Sequence, residues 1–225
     1  MYLVKSPLLL KWYYPSLLWN KPRTEKVIYL TFDDGPIPNV TEFVLKTLKA
    51  FNAEATFFCI GDNISKYPEV FQQVKNDGHA IGNHTYNHLK GWVTDDKTYI
   101  ENTLKCQQLT QTNLFRPPYG RIKKSQIKKL AASYQLPVTG LQEQTGDKQH
   151  TTHKTSSQIV MWDVLSGDFD QKLSPEKCYQ NVINNTRNGS IIVFHDSLKA
   201  FDRLVYALPK VLKYFSDKGF TFSTL

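Results

Sequence analysis

The chain has 225 residues, 40% of them hydrophobic and 21% charged, with a formal net charge of +8. These proportions exclude a disordered tail or a fibrous repeat, and the length predicts one domain able to bury its own core. The 28 basic and 20 acidic residues suit an anionic partner, but the basic ones are scattered and no nucleic-acid partner is expected.

The densest basic group, Arg121, Lys123, Lys124, Lys128 and Lys129, reads as the solvated face of one helix. Cys59, Cys106 and Cys178 cannot all pair within the chain and form no C-x-x-C, so they read as reduced thiols, pointing away from an oxidised compartment. At the N-terminus the longest aliphatic run is Leu8–Leu10, interrupted on both sides by Lys5, Pro7, Lys11 and Pro15, so no signal peptide is read. Nothing approaches the roughly 18 apolar residues of a membrane span. The expected location is cytoplasmic or peripheral to a membrane. Trp12–Trp19 gathers Trp12, Tyr13, Tyr14, Leu17, Leu18 and Trp19. It either plugs the bottom of the domain or rests on a membrane interface, and packing is the preferred reading. Residues 1–26 are expected to form an extension packed on a domain spanning 27–225, and the protein is expected to be a monomer.

Val27–Phe32 is a β-branched and aromatic run ended by the turn signal Asp-Asp-Gly-Pro. Val40, Phe43, Val44, Leu48 and Phe51 recur at helical spacing. Ala55–Ile60 predicts a buried strand, Pro68 opens a helix that Gly78 closes, and His79–Asn83 is a short strand. Thr94 is placed to cap a helix through Tyr99, Ile100, Leu104 and Leu109. Leu114–Arg116 is a strand cut off by Pro117-Pro118, and Ile122–Ala132 is helical. The polar stretch 139–158 has Leu141 as its only large apolar residue and predicts a flexible insertion, its His150 and His153 solvated. Ile159–Val164 is a strand, Ser174-Pro175-Glu176 begins a helix ending near Asn188-Gly189, and Ser190–Phe194 is a strand. A helix over Leu204–Phe215 and a strand at Phe220–Phe222 complete the chain. Strands alternating with helices, about seven units of them, predict a parallel α/β sheet, as a barrel or an open doubly wound form.

In such a sheet, chemistry collects just beyond the C-terminal strand ends. Those positions hold Asp33 and Asp34, His84 and His88, Arg116 and Tyr119, Asp163 and Asp168, and His195 and Asp196. His84 and His88, four apart, would face one side of a helical turn and share an ion. Two histidines with one aspartate leave coordination positions open, as at a catalytic zinc, and the same trio suits non-haem iron. If Asp34 binds the ion, Asp33 is left as a base, Arg116 can hold it ionised, and His195 can protonate a leaving group. Together these are the parts of metal-assisted hydrolysis.

The motifs T-F-D-D-G-P (Thr31–Pro36), H-T-x-x-H (His84–His88), R-P-P-Y (Arg116–Tyr119) and the strand end V-F-H (Val193–His195) resemble, in this order and spacing, those of the polysaccharide deacetylases. This is the NodB-homology domain of carbohydrate esterase family 4. The resemblance covers about Val27–Leu225. It implies a distorted (β/α) barrel of about seven parallel strands and removal of acetyl groups from an N-acetylated carbohydrate. It implies that Asp34, His84 and His88 bind a divalent metal, zinc first, with cobalt, nickel or manganese as alternatives. Asp33 would be the general base oriented by Arg116, and His195 the general acid tuned by Asp168. The Tyr119 N–H would hold the oxyanion. Phe169 stands where the family has tryptophan, and Val193 where it has leucine, so the aromatic wall and the acetyl pocket are expected to differ. A catalytically silent carbohydrate-binding protein on the same fold is the alternative.

Overall fold

The computed structural model describes residues 2–133 and 158–225. Most of the expected 139–158 insertion, with His150 and His153, therefore lies outside the described residues, and Gln158 itself belongs to a strand.

The strands are β1 (Val27–Asp33), β2 (Ala55–Cys59), β3 (Ala80–Asn83), β4 (Leu114–Phe115), β5 (Gln158–Ile159), β6 (Val164–Leu165), β7 (Ile191–His195) and β8 (Thr221–Phe222). Seven run in the order β5-β4-β3-β2-β1-β7-β6, β8 pairs the start of β1, and every pairing is parallel. The sheet curls into a distorted (β/α) barrel. Alternation along the strands sorts the residues between two faces. Ile28, Leu30 and Phe32 of β1, with Phe57, Ile192 and Phe194, face outward into the main apolar cluster. The helices α2 (Val40–Ala50), α7 (Pro175–Asn185) and α8 (Phe201–Asp217) cover them there. Thr31, Asp33, Val193 and His195 take the opposite, inner face.

β5 and β6 end the strand order, and the N-terminal segment lies along both. Lys5 bridges Val164 antiparallel, and Leu18 bridges Val160 in parallel. Between them comes α1 (Leu8–Tyr13), which buries none of its residues. The Trp12–Trp19 stretch thus divides. Leu17 and Trp19 are buried in a second apolar cluster, whereas Trp12 is exposed.

Several elements depart from expectation. The run Ile159–Val164 is two strands, because its backbone changes partners: Val160 N–H donates to Phe115, Met161 to Leu18 and Asp163 to Ile191. Asp163 consequently sits at the opposite end of the barrel from the proposed chemistry. There its carboxylate accepts from Lys5 Nζ (2.9 Å), Lys11 Nζ (2.6 Å), an Arg23 guanidinium nitrogen (3.0 Å) and Ser190 Oγ (2.7 Å). Asp95, not Thr94, caps α5 (Asp96–Thr110), accepting from Thr98 N–H at 3.0 Å, while the Thr94 hydroxyl donates back to Lys90. The helix α3 (Gly61–Lys66), between β2 and α4 (Pro68–Asn76), has no counterpart among the elements expected from the sequence. The helix after β4, α6, spans Lys124–Ser133. The three cysteines are free and buried.

Candidate active site

Asp33 and His195 are register partners on β1 and β7, so the sheet ladder itself sets a carboxylate beside an imidazole at one strand end. Asp33 is almost wholly buried and Arg116 wholly so. An Arg116 nitrogen donates to Asp33 Oδ1 at 2.6 Å and to Thr31 Oγ1 at 2.7 Å. The rest of the guanidinium donates to the Val160 and Met161 carbonyls and lies 4.0 Å over the Phe58 ring. Burial lowers the Arg116 pKa, and the Asp33 carboxylate opposes that shift. Such a clamp orients Asp33 and leaves Oδ2 as its other oxygen, 3.9 Å from His84 Nε2.

His84 and His88 do not lie on a helix. Thr85 and His88 both adopt positive φ (62° and 55°), which folds the segment into a tight loop with the two rings 5.0 Å apart. Polar side chains hold this loop. Asn83 Oδ1 accepts from Thr85 N–H, Thr85 Oγ1 from Leu89 N–H, and Asn102 Oδ1 from the N–H groups of Tyr86 and Asn87. His84 Nδ1 donates to the Arg116 carbonyl at 2.8 Å, which leaves Nε2 as the lone-pair nitrogen. Burial, against the nearby Asp33 carboxylate, lowers the His84 pKa to about 4, so the ring is neutral at ordinary pH, the form in which Nε2 can ligate a metal.

Asp34, His84 and His88 can each offer one ligand atom, and these atoms lie within 4.8 Å of one another. Asp34 Oδ1 is 3.8 Å from His84 Nε2 and 3.2 Å from His88 Nε2, yet it is buried without a hydrogen-bond partner. A buried carboxylate oxygen left unsatisfied among imidazole nitrogens is costly unless a cation completes it, so the donor set fits a divalent metal. Burial would raise the Asp34 pKa, but His88, His195 and His84 outweigh it and keep the carboxyl ionised well below the usual range.

On the other side, Asp168 grips His195 twice. Oδ1 meets the ring Nδ1 at 2.7 Å and Oδ2 accepts the backbone N–H at 2.7 Å. Burial would lower the imidazole pKa, but Asp168, with smaller contributions from Asp34 and Asp33, raises it to about 9. The Phe169 ring packs edge-on against His195 at 5.2 Å, with Tyr2 behind it at 4.9 Å. Tyr119 adopts φ 58° and sets its exposed ring 4.6 Å from His88. Val193 lies one pleat below His195, buried in the sheet and in register with Thr31 and Leu165.

Two residues have contacts at the site for which the sequence assigned no role. Arg203 of α8 donates from Nε to the Asp168 backbone carbonyl at 2.6 Å. Nothing in an arginine on an amphipathic helix signals that role. Asp196, fully buried, accepts from Gly35 N–H (2.9 Å) and Thr41 Oγ1 (2.6 Å), tying the end of β7 to the turn after β1 and the start of α2. Burial, then the Asp34 charge, pushes its pKa up to about 8 against those hydrogen bonds. Its signal was only its place beside His195.

Residues 20–138 match the family described as polysaccharide deacetylase. The chain is 32% identical over 218 residues to a peptidoglycan-N-acetylglucosamine deacetylase of Bacillus cereus, covering 92% of this chain and 90% of the relative. It is 33% identical over 181 residues to a chitooligosaccharide deacetylase of Azorhizobium caulinodans, covering 77% and 75%. The crystal structure of a peptidoglycan N-acetylglucosamine deacetylase in complex with an N-oxidanyl-benzamide superposes with a TM-score of 0.81 at 28% identity. That match covers 98% of this chain and 95% of the other.

Proposed function

The chain belongs to the polysaccharide deacetylase family, and from that premise we propose that it hydrolyses the N-acetyl group of N-acetylglucosamine units in a peptidoglycan or chitooligosaccharide-type glycan. It is a metal-dependent carbohydrate deacetylase. The observation that carries the reading is the pair of oriented titrating groups flanking one donor cluster: Asp33 clamped by Arg116, and His195 gripped by Asp168.

Asp34, His84 and His88 would hold a divalent cation, zinc being the first choice, and when bound it would supply Lewis-acid polarisation of the acetyl carbonyl. Asp33 takes a proton from the attacking water through Oδ2, since Arg116 occupies Oδ1. As the C–N bond breaks, His195 gives its Nε2 proton to the departing amine, because Nδ1 is held by Asp168. Acetate and a free amino sugar result, and the two side chains then exchange protons with solvent to reset. The Tyr119 N–H, on a backbone turned by positive φ, is assigned to the developing oxyanion. Phe169 walls the acid side of the cleft. Val193, fully buried, shapes the floor beneath His195. Residues 27–225 carry this machinery, with 1–26 as an extension.

No helix among the described residues is long and apolar enough to cross a membrane. The test is acetate release from a panel of peptidoglycan fragments and chitooligosaccharides, with and without a strong chelator. Chelator-sensitive release is expected. Glycan binding without acetate release, at full metal loading, would instead favour the silent binding protein.

A further inference from the structure

We propose that α1 is a docking element for an anionic lipid surface. Leu8, Leu9 and Trp12 are 83%, 73% and 77% exposed. At 100° per residue Leu8, Trp12, Leu9 and Tyr13 occupy one arc of the helix, while Leu10 and Lys11 lie opposite. The opposite side is the tethered one: Lys11 Nζ reaches Asp163 at 2.6 Å and Asn20 Oδ1 at 3.2 Å. The helix is thus pinned with its apolar arc outward. A contiguous apolar patch on a soluble domain marks an interaction site, and leucines combined with tryptophan and tyrosine suit the boundary between lipid headgroups and acyl chains.

Charge selects the partner. Residues 2–24 contain no Asp or Glu, and neither do residues 118–133. The two segments meet where Lys124 Nζ sits 4.0 Å over the Tyr13 ring. Lys128 is one helical turn further along α6 and also exposed. Apolar insertion flanked by lysines, with no carboxylate in either segment, complements anionic headgroups. A second copy of the chain fits poorly, because its like-charged rim would face this one. A six-residue helix also offers far less than the ~800 Å² per partner that a stable dimer needs.

The test uses the full chain with vesicles of 30 mol% phosphatidylglycerol in phosphatidylcholine and vesicles of phosphatidylcholine alone, read by co-sedimentation. Binding to the anionic vesicles is expected to be at least tenfold tighter and to weaken with salt. The double variant Leu9→Glu, Trp12→Ala should lose at least tenfold of it while keeping acetate release from soluble substrate. Quenching of tryptophan fluorescence by brominated lipids, present in the parent and lost in Trp12→Phe, reports insertion without a destabilising change. Absent binding, equal binding to neutral vesicles, binding unchanged in the double variant, or quenching retained in Trp12→Phe would overturn the proposal. So would a concentration-dependent dimer that the double variant abolishes, which assigns the arc to a second copy.

Discussion

At Asp33 the two carboxylate oxygens have different duties: one is held by Arg116 and the other faces His84. Replacing Asp33 by Asn keeps the shape and removes the basicity. Asp33→Asn should therefore retain stoichiometric metal while turnover falls roughly 10²–10⁴-fold. His84→Ala should lose both, because Nε2 belongs to the donor cluster. Metal content and acetate release of the two purified variants check this, and metal lost from Asp33→Asn would exchange the roles of the neighbouring aspartates. The acid is tested by pH. In the proposed mechanism the His195 imidazolium is the reactive form, and against burial Asp168 raises its pKa towards about 9. Activity should therefore persist above the ~6.5 of an unperturbed histidine and fall as pH rises through the raised value. A bound cation offsets the Asp34 charge, so the alkaline limb of kcat/KM should lie between those limits. Asp168→Asn should move that limb down and lower the rate, with metal affinity little changed. A limb that stays put in the variant would show that His195 is not tuned by Asp168.

The elements differ in how far residue patterns announce them. β1, β2 and β7 are buried runs of β-branched and aromatic residues, and the ends of β1 and β7 carry quoted motifs, so the candidate site's composition was readable before its geometry. α8 was readable through Leu204, Ala207, Leu208, Val211, Leu212 and Phe215, its buried stripe, and it continues through Pro209. The carbonyl that Pro209 leaves without an N–H belongs to Val205, on the exposed side. α3 was not readable, since its six residues bury only Gly61 and Ile64 and show no apolar period. The His84–His88 loop was misread as helix because positive φ at Thr85 and His88 is a tertiary outcome: β-branched threonine disfavours it, and histidine adopts it only in a minority of cases. β6 was fused to β5 because a change of hydrogen-bond partner leaves no trace in hydrophobicity. The turn after β1 gives the prediction at this scale. A Cβ on Gly35 would fall 1.9 Å from Asp196 Oδ2. Gly35→Ala should cost about 1–3 kcal/mol by overpacking and weaken metal binding, because the displaced backbone carries Asp34. Denaturant midpoints and metal titration measure the two effects, and a variant matching the parent in both would show that the Asp196 contact is dispensable.

The whole molecule is held at its far end by a different device, the convergence of Lys5, Lys11 and Arg23 on the buried Asp163. Burial would raise the Asp163 pKa, but Lys11, Ser190, Lys5 and Arg23 hold the carboxyl well below the usual range. A depressed acid contributes stability above its unfolded pKa of ~3.9 and loses it as pH falls through the folded value. Asp163→Ala leaves three cations without their partner and should cost about 3–5 kcal/mol at neutral pH. The deficit should shrink in acid, which thermal midpoints at pH 7 and pH 3 would reveal; an equal deficit at both would refute an electrostatic origin. The N-terminal segment that these contacts anchor also has a consequence for the order of assembly. Its residues are made before the barrel's, yet Lys5 must find Asp163 and Val164, which are synthesised some 158 residues later. Until then the segment has no edge to join, and its own backbone groups stay open to other chains. Barrel closure is therefore a late, long-range event of high contact order. Chains truncated before β6 should collapse around β1, β2 and β3 with their beginning still loose and open to protease.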